Sequence, residues 1–319
     1  MRLEGGKFVL VGGAGLIGSH TLDLLLAAGA GEVVVFGGSG GGNLGHALGD
    51  PRVKTIRGDV TQPDMVEAAF EGADGVFHLA AMWLLHCQQL PSAAFEVNIR
   101  GTFNVMDACV KKGVKRLVFS SSRSAYGGAA AELVHEEDPL LASDFYGASK
   151  TAGEALLHAY HHRYGLDYAA LRYMNVYGPR QAWRGPYISV IMKMLTAIEA
   201  GQGPTIIGEG SERFDFVAVE DCALANLCAM GSDATDRAYN VGTGQATTLR
   251  DLAELLLELT GSDLPINFVK SDAVTTSRGT VASTERAAAE IGFEATIPLR
   301  KGLARLIDWR AQEMRRAGL

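Results

Sequence analysis

Two hydrophobic rhythms divide the chain. In the first half, short unbroken apolar runs alternate with stretches where leucine, valine and alanine recur every three or four positions. Lys7–Val11, Glu32–Phe36, Val53–Arg57, Gly75–Leu79, Arg116–Ser120 and Tyr168–Arg172 are such runs and predict strands. Leu16–Ala28, Ala93–Lys112 and Tyr146–Tyr164 carry helical spacing. The last two stop at Gly113 and Gly165, residues suited to a left-handed helix end. Strands without a polar face, alternating with helices, predict an α/β fold: a doubly wound parallel sheet covered on both sides.

After about Asn175 the rhythm changes. Thr205–Ile207, Phe214–Val219 and Ile266–Val269 predict short strands among helices at Ser189–Ala200, Leu249–Leu259 and Arg300–Arg316. The expected division is a sheet body at 1–175, with 214–245 returning to it, and a smaller α+β lobe mainly at 176–319. No Pro-, Ser- or charge-rich linker separates them, so the lobes are expected to pack directly.

Composition narrows the function. A chain of 319 residues needs no staples to hold a large core. Its 29 Lys plus Arg against 36 Asp plus Glu give a net charge of −7, which excludes nucleic acid as the main partner. Glycine is the outlier, 39 residues, and calls for tight turns and close backbone approaches. Cys87, Cys109, Cys222 and Cys228 are scattered without a CxxC pair, as in a reducing compartment. With neither a signal-peptide pattern nor an apolar run long enough for a bilayer, a cytoplasmic protein without a membrane partner is expected.

The chemistry concentrates in three places. The first strand runs into Gly12-Gly13-Ala14-Gly15-Leu16-Ile17-Gly18 and then a helix. Gly12 permits the turn, Gly15 lets a pyrophosphate approach backbone amides, and Gly18 lets helix and strand lie close. Second, Asp59-Val60 and His78-Leu79-Ala80-Ala81 close two strands at the ends where doubly wound sheets bind ligands. Third, Tyr146 and Lys150 share one helical face, following Ser120-Ser121-Ser122 at a strand end. An ammonium beside a phenol favours phenolate, so Tyr146 is expected to exchange a proton near neutral pH while Ser122 holds the same substrate oxygen.

These pieces together resemble the extended short-chain dehydrogenase/reductase family, in its sugar-nucleotide epimerase/dehydratase group. The resemblance is carried by VGGAGLIGSH (11–20), HLAA (78–81), VNIRGT (97–102), SSSRSAYG (120–127), YGASK (146–150), RYMNVYGPRQ (172–181) and NVGTG (240–244), in the family's order. It implies a Rossmann domain binding NAD and a C-terminal lobe binding a nucleoside-diphosphate sugar, with UDP the expected nucleotide. It also implies a homodimer packed through the helices at 93–112 and 146–164. By position, Tyr146 would be the base, Lys150 its partner and Ser122 the orienting hydroxyl. Gly12, Gly15, Leu16, Ile17, Gly18, Asp59, Val60, Leu79, Ala80, Ala81, Asn98 and Tyr173 would line the cofactor cleft with Tyr146 and Lys150. Ser122, Arg123, Asn175, Arg184, Arg213 and Arg278 would meet the substrate. No metal is implied.

Three departures qualify this. Gly37 stands where a ribose-binding acid is usual, and no Arg lies between Phe36 and Asp50, so NAD is favoured and NADP is left open. Arg123 and Ser124 follow Ser122 where dehydratases carry an acid, which disfavours elimination. Phe214 occupies the usual diphosphate-binding Arg position, with Arg213 one residue earlier on the other strand face. His158, His161 and His162 lie on a helix without carboxylate partners at ligand spacing and read as a surface face. Epimerisation of a UDP-sugar is therefore the leading expectation. A net dehydrogenase, reductase or dehydratase is the alternative, and a non-catalytic NAD(P)-binding regulator the alternative of another class.

Overall fold

The computed structural model describes every residue except 39–41, 129–132, 186–187, 271–278 and 319. Seven parallel strands form the main sheet, in the order Arg237–Val241, Tyr168–Tyr173, Arg116–Ser122, Gly75–His78, Lys7–Val11, Glu32–Gly37, Val53–Arg57. The chain builds outward from Lys7–Val11 to one edge, then crosses over and builds to the other. The point where strand order reverses, between Lys7–Val11 and Gly75–His78, is where the carboxyl ends open a crevice.

Burial explains the unbroken apolar runs. One side of the sheet packs Phe8, Leu10, Val33, Phe77 and Leu171 with Leu22 and Leu25 of helix Leu16–Ala27. The other packs Val9, Val11, Val34, Phe36 and Phe119 with Val105, Met106 and Leu157. A third core, around Tyr177, Ile191, Met194, Leu195, Leu252, Leu303 and Leu306, gathers helices Val190–Glu199, Leu249–Thr260 and Leu299–Arg316.

Two elements differ from the sequence pattern. The helix expected at Ala93–Lys112 is interrupted by a π-helical turn at Phe95–Arg100. There the Asn98 amide reaches back to Met82, accepting from its N–H at 2.7 Å and donating to its carbonyl at 2.9 Å. The strand expected at Phe214–Val219 splits at Asp215. Arg213–Phe214 pairs antiparallel with Thr247–Thr248, Phe216–Ala218 pairs parallel with Asn175–Tyr177, and Val219 begins helix Val219–Gly231. The cause is the fully buried Asp215 carboxylate, which accepts from Thr243 N–H (2.8 Å), Thr243 hydroxyl (2.7 Å) and Gly244 N–H (3.0 Å).

Candidate active site

A cavity of about 580 Å³ opens at the sheet's carboxyl edge, and the glycine loop forms one wall. Gly12 has φ +84°, and a Cβ there would sit 2.7 Å from Ala80 N. A Cβ at Gly18 would sit 2.6 Å from Gly13 Cα. Only glycine fits either position, so turn and helix close onto the strands. Helix Leu16–Ala27 starts at Gly15 with no side-chain cap. Its first-turn N–H groups, at the positive end of the dipole, are left for a ligand beside Gly15, Leu16 and Ile17.

The opposite wall carries Ser122, Arg123, Tyr146, Lys150, Tyr173 and Asn175. Asp144 caps helix Phe145–Tyr164 by accepting from Gly147 N–H at 2.8 Å, which sets the first turn bearing Tyr146. Ser122 hydrogen-bonds the Tyr146 phenol, and its Oγ also accepts from Ser124 N–H at 3.1 Å. Lys150 is buried. Its Nζ donates to the Ser120 carbonyl at 2.7 Å and lies 5.5 Å from the Tyr146 ring centroid.

The electrostatics correct the expected phenolate. Burial pushes the Tyr146 phenol up to about 12, and the Ser122 hydrogen bond offsets this only in part. Burial also brings Lys150 down to about 8. In the chain alone, desolvation of the phenol dominates, and Tyr146 is protonated at neutral pH. His78 is held down to about 3 by burial and by Lys150, so it is a neutral structural imidazole bonded to Thr102 Oγ1 at 2.9 Å.

Other expected residues divide sharply. Leu79 and Ala81 line the large cavity. Ala80 lines a second one of about 340 Å³ with Gly12, Phe36, Gly37, Gly38 and Arg57. Asp59, Val60 and Asn98 line neither. Asp59 accepts from Thr61 N–H at 2.9 Å, Val60 is packed into the core, and Asn98 braces Met82. Arg184 stacks on Trp183, 3.9 Å from the ring centroid, and does not line the cavity. Arg213 is exposed and also off the cavity, while Arg278 lies outside the described residues. The Asn175 side-chain N–H donates to the Asp215 carbonyl at 3.1 Å. Ser121 lines the large cavity beside Ser122, with its hydroxyl donating to Glu154. The histidines do have a carboxylate partner. Asp236, distant in sequence, bonds His158 Nδ1 at 2.8 Å and lies 3.5 Å from His162 Nε2.

Sequence reasoning missed Arg57, which reaches the second cavity from the neighbouring strand as the register partner of Gly37. Trp83 and Leu84 also line the large cavity.

The chain matches the profile of the NAD dependent epimerase/dehydratase family over residues 8–242. It belongs to that family. UDP-glucose 4-epimerase of Mycolicibacterium smegmatis is 31% identical over 309 residues, 95% of this chain and 98% of the relative. The solved UDP-N-acetylglucosamine 4-epimerase of Methanobrevibacter ruminantium M1, in complex with UDP-N-acetylmuramic acid, is 30% identical. It superposes with a TM-score of 0.91 over 98% of this chain and 100% of that one. A dTDP-glucose 4,6-dehydratase from Streptomyces venezuelae, solved with NAD, is 27% identical with a TM-score of 0.88 over 97% and 98% of the two chains. The enzyme's cofactor is NAD, and its uncapped helix end and glycine cradle fit a dinucleotide diphosphate.

Proposed function

We propose that this enzyme epimerises a nucleoside-diphosphate sugar, UDP-linked, through a transient keto sugar. The observation that carries the reading is the convergence of Ser122, Tyr146 and Lys150 on the cavity that the glycine loop also lines. Ser122 and Tyr146 hold the sugar hydroxyl between them. Tyr146, protonated in the chain alone, takes the hydroxyl proton in its ionised form, for which Lys150 supplies nearby positive charge. NAD, when bound, supplies reversible oxidation of that carbon. The keto sugar turns over in the cavity before Tyr146 returns the proton. Arg123 and Ser124, where elimination needs an acid, speak against the dehydratase alternative. The M. ruminantium relative's ligand, UDP-N-acetylmuramic acid, supports a UDP-sugar. We assign cofactor binding to 1–175 with 214–245, substrate binding mainly to 176–319, and a cytoplasmic location.

We further propose a twofold dimer through the helices at 93–112 and 145–164, where Phe95 is 48% and Phe103 43% exposed. The functional test is proton NMR of UDP-sugars incubated with NAD-loaded enzyme, alongside absorbance of reduced cofactor. An epimer should form without net reduction of NAD. Steady accumulation of NADH would select the dehydrogenase instead.

A further inference from the structure

Lys150 and Arg123 are the two cations lining the large cavity. Lys150 is already bonded, to the Ser120 carbonyl. Arg123 has no hydrogen bond or ion pair among the described residues; its contact is the face of Phe214, 5.9 Å from guanidinium carbon to ring centroid. The nearest carboxylate its charge senses is Asp144, which is committed to capping its own helix.

Other arginines withdrawn from solvent have partners within the chain: Arg116 is held by the Ser232 hydroxyl and the Ala234 carbonyl, and three more are ion-paired. Arg172 pairs with Glu154, Arg310 with Glu199 and Arg180 with Asp23. A guanidinium stays charged even when desolvation lowers its pKa, as it does here. Arg123 is half-buried, and a cation partly withdrawn from water without a counter-ion is costly, so its partner is to be sought in the ligand.

We infer that Arg123 anchors an anionic oxygen group of the substrate, a carboxylate on the sugar, and that the enzyme takes an acidic nucleotide sugar. This rests on the nucleotide-sugar reading above. One placement favours the sugar over its diphosphate. Arg123 follows Ser122 directly, and Ser122 bonds the phenol that addresses the reacting hydroxyl. The guanidinium is a planar fork of donors, matched to the two oxygens of a carboxylate. Phe214 supports it from behind as an aromatic platform.

The test is calorimetric titration of NAD-loaded wild type, Arg123→Ala and Arg123→Lys with UDP-glucuronate, UDP-glucose and UDP. Wild type should bind UDP-glucuronate about 10–100-fold tighter than UDP-glucose, the size of a charge-assisted hydrogen bond. Arg123→Ala should lose that preference while UDP, UDP-glucose and NAD affinities change by less than about twofold; Arg123→Lys should recover part of it. Equal wild-type affinity for the two sugars would overturn the proposal. So would an Arg123→Ala loss on UDP as large as that on UDP-glucuronate, which would place the guanidinium on the diphosphate. If none of the three binds, the nucleotide-sugar reading itself falls, and this inference with it.

Discussion

Substituting aspartate for Gly37 should tighten NAD. Gly37 ends its strand beside the glycine loop, where Gly12 N–H donates to the Phe36 carbonyl at 2.8 Å. A Cβ there meets nothing closer than Gly12 Cα and N, both at 3.9 Å, and its φ is outside the left-handed region. The substitution therefore brings neither clash nor strain. A carboxylate accepting ribose hydroxyls is worth about 1.5–3 kcal/mol. Arg57, the register partner of Gly37, lines the same cavity and competes for that carboxylate. An exposed pair of this kind is worth up to about 1 kcal/mol. The net gain is about 1 kcal/mol, roughly fivefold in Kd. Calorimetry on cofactor-stripped protein with NAD and NADP checks it, in wild type and in an Arg57→Ala background. NAD should tighten and NADP weaken, and the NAD gain should grow when Arg57 is removed. Unchanged or weaker NAD binding by a normally folded Gly37→Asp would refute the placement of the ribose between these strands. Tighter binding of NADP than NAD by the natural protein would show that Arg57 reads a 2′-phosphate.

Four other outcomes are expected. Tyr146→Phe should fold and keep NAD but lose about 10²–10⁴-fold in turnover, with Ser122→Ala milder; wild-type turnover by Tyr146→Phe would remove the assigned base. Glu154→Ala should cost about 3–5 kcal/mol by urea unfolding, because it strands Arg172, whose side chain is 5% exposed; a loss under about 1 kcal/mol would mean that water reaches the pair. Lys150, at about 8, loses its charge as pH rises, so kcat/KM should fall above about pH 8. A profile flat to about pH 10, the ordinary lysine value, would contradict its burial. Light scattering should give about twice the 33.8 kDa chain mass at micromolar concentration, and a monomer would refute the dimer.

What could be read in advance follows from how far apart the cooperating residues lie. The glycine loop and the Tyr146/Lys150 pair are local: each sits within one turn or one helical step, and the chain's own geometry brings the members together. Arg57 was invisible because its relation to Gly37 runs across parallel strands, through a register that sequence spacing does not display. Asp236 reaches His158 and His162 in the same long-range way, and Asn98 turned inward because a π-helical turn interrupts an otherwise regular pattern. The arginines separate most clearly. Arg123, Arg180 and Arg184 all sit in family motifs or directly beside them, and each could have gripped a phosphate. In the fold, Arg180 is neutralised by Asp23, Arg184 lies flat on Trp183, and Arg123 keeps an unmatched charge inside the cavity. Side-chain type narrows the candidates. The three-dimensional balance of charge then separates a cation that holds the fold from one that awaits a ligand, and that balance depends on partners more than a hundred residues away.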